Sequence, residues 1–516
     1  MVHLASAAVI AALLTSSKAA SSHCCRELSK AGLEGRISYP DDEAYKQRIG
    51  SYFSKAAQIP PHCVFQPHNS NDVSTAVKTL VAAQREPCQF AVRSGGHNSI
   101  PGASSISDGV NIDLGLMNST TYHPENDTAT VQSGALWGSV YSTLDKLGVM
   151  VVGGRSSTVG TGGLVLGGGN SFYAARKGLV CDNVAQFEVV LGNGEIVHAN
   201  NQDRSDLFQA LKGGGNNFGI VTAMDLKTFE GGPLWGGNVV YSQSAAPEIL
   251  SEFVQFADKL VEDPYASLIT LDAFLPDMGE PMVVNALEYT KQVERPDPFK
   301  NFLSMEGKIS DSTRITNTTS LTGEWEVPNK YRVSFSTLTT KNDLRVLTKA
   351  HELWLAVVQR LKTEAKGPWE SYQLYQPMPP TFGKDAITHG GNVLGLERFD
   401  ETLILYEPYL SWTYPEQDDL FNGQAKWLRD ELSAFAKSIG AGNEYIYLDY
   451  ADADQDPLGS YGEENVRKMK AAAKKYDPKG VFQKLLPGGF KLSKVGFIFL
   501  VFGEDETDQI QGRGPR

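Results

Sequence analysis

Basic charge is scarce in this 516-residue chain: 47 lysines and arginines stand against 60 aspartates and glutamates, leaving a formal net charge of −13. The chain therefore offers no cationic surface of the kind that grips a phosphate backbone or an anionic membrane, which excludes nucleic-acid binding and membrane adhesion as leading roles. Long apolar runs are missing as well. Residues 4–14 and 495–502 are apolar but too short to cross a bilayer, so no membrane span is expected. A GxxxxGK[ST] phosphate loop does not occur, and Gly213-Gly214-Gly215 fails the strict GxGxxG pattern at Phe218. There is no GxSxG nucleophile elbow, no CxxC pair and no HExxH. A nicotinamide-binding unit, a serine hydrolase and a metal site all lose their usual signatures.

Cysteine is sparse at five, and four of the five crowd the N-terminal region: Cys24, Cys25, Cys63 and Cys88. One or two disulfides could tie the N-terminus to the first domain, with the pairing open. Cys181 is the odd one and reads as a buried free thiol. Residues 1–19 resemble a secretory leader, an uncharged apolar run closed by Ser17-Lys18-Ala19. Glycosylation sequons begin at Asn118, Asn126 and Asn317. Together these place the protein outside the cell or in the secretory lumen.

Residues 60–229 read as short strands and tight turns. A helix is expected over 72–84 from Val73, Ala76, Val77, Leu80 and Val81. Strands are expected at 90–93, 110–114 and 130–132, and a helix at 137–147 closed by Gly148. Gly192-Asn193-Gly194 between two apolar runs predicts a hairpin. The middle third mixes strands at 268–274, 282–289 and 403–412 with helices at 248–262, 344–364 and 418–439. Residues 375–394 read as a loop. A last segment, 445–492, ends with a helix over 463–475 that Asp477-Pro478 stops. The fold class is α+β.

Glycine is abundant instead, with 50 residues against a usual share of about 7%. It clusters in three places: Arg93-Ser94-Gly95-Gly96-His97, residues 152–169, and Gly213-Gly214-Gly215-Asn216-Asn217-Phe218-Gly219. Bare main chain with exposed N–H groups can cradle a pyrophosphate without lysines. Three such clusters within one region point to a large phosphate-bearing cofactor.

These motifs resemble the FAD-binding domain of the p-cresol methylhydroxylase type. The match runs through Asp108-Gly109-Val110-Asn111-Ile112-Asp113-Leu114, Val151-Val152-Gly153-Gly154-Arg155 and Gly162-Gly163-Leu164-Val165-Leu166-Gly167-Gly168-Gly169. It continues through Cys181-Asp182-Asn183-Val184 and Asn216-Asn217-Phe218-Gly219-Ile220-Val221-Thr222. With Tyr447-Leu448-Asp449-Tyr450 and Tyr476-Asp477-Pro478-Lys479-Gly480-Val481-Phe482-Gln483, the chain is similar to berberine-bridge-enzyme-like oxidoreductases of the vanillyl-alcohol oxidase superfamily, in their secreted fungal branch. The resemblance covers residues 24–492.

The resemblance implies a leader (1–19), an N-terminal extension (20–56), an FAD-binding domain of two α/β subdomains (57–231) and a substrate domain (232–444) built on an antiparallel sheet flanked by helices. A segment at 445–492 returns to the FAD domain, and a tail at 493–516 is either disordered or a gene-model artefact. It implies FAD joined covalently to His97 through the 8α-methyl group. Contacts are implied from Arg93, Ser94, Gly95, Gly96, Asn98, Gly154, Thr158, Gly160, Gly162, Gly163, Gly167, Gly168, Gly169, Asn170, Gly219, Ile220 and Val221. Some relatives carry a second, cysteinyl link; residues 155–163 hold no cysteine here, so one link is expected.

The implied reaction is hydride transfer from a small organic substrate to flavin N5, with O2 as the acceptor. The substrate gives up a C–O, C–N or activated C–H bond, and secondary metabolism is the expected setting. An oligosaccharide oxidase, an oxidative cyclase and a flavin-binding protein without turnover are the alternatives. Tyr450 is the leading candidate base, with Asp449 in place of the family's asparagine and Tyr447 in reserve. Gln376 and His389 are expected on the pocket wall, and Tyr406, Tyr409 and Trp412 form either an aromatic wall or core.

Overall fold

The computed structural model describes residues 23–83, 87–326 and 329–496, so positions 1–22, with the expected leader, and 497–516 lie outside the described residues. Three sheets organise the chain. The first runs Ile37–Ser38, Cys63–Phe65, Val110–Asp113, Phe90–Arg93, and its last three strands are mutually parallel. Parallel strands need a crossover, and helix Ser70–Ala82 carries the chain from Cys63–Phe65 to Phe90–Arg93, past the strand Val110–Asp113 that lies between them. This helix starts ahead of the sequence expectation because the Asn69 side chain accepts the Asp72 N–H and caps it.

The second sheet is antiparallel, with Thr128–Gln132, Ile220–Glu230 and Val184–Val190 at its centre. The expected hairpin joins Val184–Val190 to Ile196–Asn200. The third sheet has nine strands, all paired antiparallel, from Lys308–Asp311 at one edge to Arg332–Phe335 at the other. Helices Ala246–Lys259, Leu344–Glu364 and Asp418–Ser438 bury their apolar stripes in its core. Trp412 stacks on Phe421 of the third helix with ring centroids 4.9 Å apart, and the Trp354 indole donates to Ser371 on the same side. Side chains alternate along each strand, so Glu407 and Tyr409 project from the other face. That uncovered face becomes a wall of the site. The whole is α+β, as expected.

Two expectations are corrected. Residues 375–394 are not a loop: strand Trp369–Met378 runs into them and helix Thr381–Thr388 follows. The prolines at 377, 379 and 380 imitate a loop, yet they only end the ladder, and buried Phe382 and Ala386 anchor the helix. The folded part also extends beyond residue 492. Leu492–Lys494 forms a turn and Val495 packs into the main core.

The N-terminal extension is stitched to the first sheet by disulfides Cys24–Cys88 and Cys25–Cys63. Cys181 is free and buried.

Candidate active site

The three glycine-rich stretches and the uncovered face of the nine-stranded sheet enclose a cavity of about 600 Å³. The cofactor side is built from main chain. Ser94, Gly95, Gly96, His97 and Asn98 follow strand Phe90–Arg93 into the wall; Gly160, Gly162, Gly163 and Asn170 come from the second stretch; Gly215, Gly219, Ile220 and Val221 come from the third.

Gly95 and Gly160 show why glycine is required. A Cβ on Gly160 would lie 2.2 Å from the Gly95 nitrogen, so the first two stretches touch backbone to backbone. Gly163 is the opposite case, since a Cβ there would meet no atom within 4 Å and would only occupy the cavity. Ser94 Oγ donates to the Ser133 carbonyl at 2.5 Å and accepts the Gly162 N–H at 3.3 Å, which ties the first stretch to the second.

Other expected contacts stand behind the wall. Arg93 is buried, with its guanidinium 3.9 Å over the Tyr52 ring and bonded to Ser51 Oγ at 2.8 Å. Gly154 packs on Trp137 and its carbonyl accepts from Tyr141. Thr158 contacts Ser156, while Gly167 and Gly169 abut Asp449 and Gly168 abuts Leu394.

His97 faces the cavity with one side of its ring against Phe53, centroids 3.9 Å apart and planes within 17°. Burial pushes its pKa down to about 4, so the imidazole is neutral at physiological pH.

A polar cluster joins the two walls. Arg155 Nη2 donates to Gln376 Oε1 at 2.5 Å and to the Tyr450 hydroxyl at 2.8 Å. Tyr447 O–H donates to Asp449 Oδ2 at 2.8 Å, and Gly169 N–H donates to the same oxygen at 3.2 Å. Burial lifts Asp449 to about 7 despite both bonds, and it also raises Tyr450. Glu407 lines the cavity from the middle of its strand; burial lifts it to about 8 against the pull of Arg155. The rest of this wall is apolar and aromatic: Ile269, Leu271, Leu374, Phe335, Tyr372 and Tyr409.

The expected pocket residues divide. Tyr409 lines the cavity, whereas Tyr406 and Trp412 point to the helix-covered face. Gln376 stands one contact back, behind Arg155. His389 is not on this wall: its ring bonds the Asp385 carbonyl, and its own carbonyl accepts from Lys212. Glu407 and Phe53 escaped the sequence reading. The signal for Glu407 was present, a single acid within the otherwise uncharged run Leu403–Trp412.

The residues fit a flavin dinucleotide. Bare glycine edges leave main chain open to the cavity, and Ser104 Oγ and Ser133 Oγ are buried on the wall with no hydrogen-bond partner among the described residues. Such orphaned hydroxyls are costly unless a ligand satisfies them.

Comparison with known proteins agrees. Residues 61–200 match the model of an FAD binding domain. FAD-dependent monooxygenase sdcF of Emericella nidulans is 40% identical over 474 residues, covering 91% of this chain and 98% of that protein. FAD-dependent monooxygenase drtC of Aspergillus calidoustus is 38% identical, covering 92% and 90%. Berberine bridge enzyme from Eschscholzia californica superposes with a TM-score of 0.72 at 18% identity, over 89% of this chain and 97% of that one. Xylooligosaccharide oxidase from Myceliophthora thermophila does so with the same score and coverage at 20% identity. Motifs, cavity and relatives together place the chain in the family of these fungal FAD-dependent monooxygenases, FAD-linked oxidoreductases, with the fold of berberine bridge enzyme.

Proposed function

We propose that the protein is an exported oxidase with FAD tethered once, through His97, that dehydrogenates a small apolar or aromatic metabolite and passes the electrons to O2. The observation that carries this reading is that His97 and Glu407 face one cavity from opposite walls. Bound FAD would supply the hydride acceptor. Gly95, Gly96, Gly162 and Gly163 would hold it by main chain, and residues 57–231 with 445–492 would form its domain. Gly160 packs on Gly95 and leaves no room there for a second link.

Glu407 takes the substrate proton in this reading. A carboxyl raised to about 8 is matched to proton transfer near neutral pH. Tyr450, expected as the base, serves better as a donor. Its oxygen accepts from Arg155, its own proton stays on, and that proton is free for a substrate oxygen. Ile269, Leu271 and Leu374 suit a flat apolar ring better than an oligosaccharide, whose hydroxyls demand paired polar groups. A substrate of this kind fits secondary metabolism.

Export is supported by the leader, by two disulfides, and by exposed Asn118, Asn126 and Asn317. Among the described residues no helix is long and apolar enough to cross a membrane.

The first test is acid precipitation of the secreted protein. Flavin that stays in the pellet, and leaves it in His97→Ala, supports the tether; flavin released from the wild type overturns it. The relatives, FAD-dependent monooxygenases by name, bring a second outcome, insertion of an oxygen atom. Turnover under 18O2 separates the two, because an oxidase sends the label to hydrogen peroxide and leaves the product unlabelled.

A further inference from the structure

The N-terminal extension reaches the candidate tether. Phe53 is 6% exposed, lies flat on His97, and its N–H donates to the Gly96 carbonyl at 3.0 Å. The ring stack continues beyond it. Phe335 lies 5.8 Å from Phe53 at 8°, and Tyr450 lies 6.5 Å from Phe335 at 23°. Residues next to Phe53 hold the edge of the nine-stranded sheet: Lys55 N–H donates to the Tyr331 carbonyl, and Ser54 Oγ accepts from Val333 N–H at 3.1 Å. Phe53 is therefore fixed from two sides, by the glycine loop and by the substrate-side sheet. Its aromatic face meets an uncharged imidazole whose hydrogen bond is to its own main chain, so among the described residues it is Phe53 that packs flat on the ring. A histidine on a glycine-rich loop can rotate about its side-chain bonds, and a flat ring packed against it restricts that freedom.

From this we infer that Phe53 is the positioning residue for His97: its ring sets the imidazole plane in which the free ring nitrogen meets the flavin. The inference rests on the proposed His97 tether. Phe53 takes no part in the bond itself, in which a ring nitrogen would join the 8α carbon as an N–H and a C–H proton leave and the electron pair passes through the flavin to the O2 that the proposed oxidase uses. Phe53 acts by restricting His97 to the reactive orientation, and a lost orientation of this sort slows bond formation by about tenfold or more.

The test uses the full-length protein, produced under riboflavin limitation and then supplied with FAD. The flavin in the acid pellet is followed over time for wild type, Phe53→Ala, Phe53→Leu and Phe53→Tyr, alongside total bound flavin. Attachment should slow in Phe53→Ala and in Phe53→Leu, which keeps bulk without the aromatic face, while total bound flavin holds. Phe53→Tyr should restore the rate. If Phe53→Ala does not fold, Phe53→Leu decides. Attachment at the wild-type rate in Phe53→Leu overturns the inference, and so does parallel loss of attached and releasable flavin. A wild type whose flavin is entirely releasable, and thus identical to His97→Ala, overturns the tether itself and this role with it.

Discussion

Arg155 Nη2 lies 2.8 Å from the Tyr450 hydroxyl, and through it the second glycine-rich stretch is bonded to the chain's C-terminal segment. The same nitrogen reaches Gln376 on the nine-stranded sheet, so one guanidinium joins three parts of the chain that are remote in sequence. Arg155 is also the cation whose field opposes the burial of Glu407 and Glu288. Replacing it by glutamine should cost about 10²-fold in kcat/KM, as for a misplaced catalytic group. It should also move the acidic limb of the pH profile upward, because Glu407 loses the charge that lowers its pKa. Steady-state rates across pH check both.

Glu407→Gln removes the proposed base outright. Turnover should fall by about 10²- to 10⁴-fold with flavin content unchanged. In the wild type, activity should rise with pH up to about 8, where the carboxyl ionises. A stopped-flow measurement of flavin reduction isolates this step from reoxidation.

Glu288, the second carboxyl in the field of Arg155, gives a stability prediction. It is 2% exposed, one of its oxygens has no partner among the described residues, and burial lifts it to about 8. Its folded pKa is thus raised. Its stabilising contribution is complete below the unfolded value near 4.5 and is lost as pH rises towards 8. Glu288→Gln should raise Tm at pH 8 relative to wild type and leave it nearly level at pH 4.5. The difference should be on the order of 4 kcal/mol. Thermal melts at the two pH values are enough.

Gly160→Ala tests the contact between the glycine loops. The added Cβ would drive into Gly95 main chain, which cannot yield as a flexible side chain could. A loss of about 1–3 kcal/mol is expected, together with weaker FAD retention. Gly160→Cys should behave the same way and should not gain a second flavin link. Melting curves and pellet flavin read these effects.

Much of the fold is legible in the sequence because its elements are periodic. Helix Leu344–Glu364 and strands Met282–Tyr289 and Leu403–Trp412 match their expected bounds, since apolar spacing and flanking turn residues mark both ends. The glycine loops are legible as a class but not one by one. Gly163 and Gly167 look alike in sequence, yet Gly163 borders the cavity while Gly167 is filled from behind by Asp449. Cysteine pairing is hidden because four cysteines allow three connectivities. The partnership of Arg155 with Gln376 and Tyr450 is hidden for a deeper reason: no local pattern records which distant side chain will arrive opposite. Prolines misled at 377–380, where chain-breaking residues border regular structure instead of replacing it.

The order in which the cavity's walls are synthesised has a consequence for biogenesis. His97 and the glycine loops leave the ribosome early, but Tyr450, Leu486 and Phe490, which complete the same cavity, emerge only after the whole nine-stranded sheet. A nascent chain stalled before residue 445 would hold an open half-site. Full enclosure of a cofactor in this cavity therefore takes the finished polypeptide and not its first half alone.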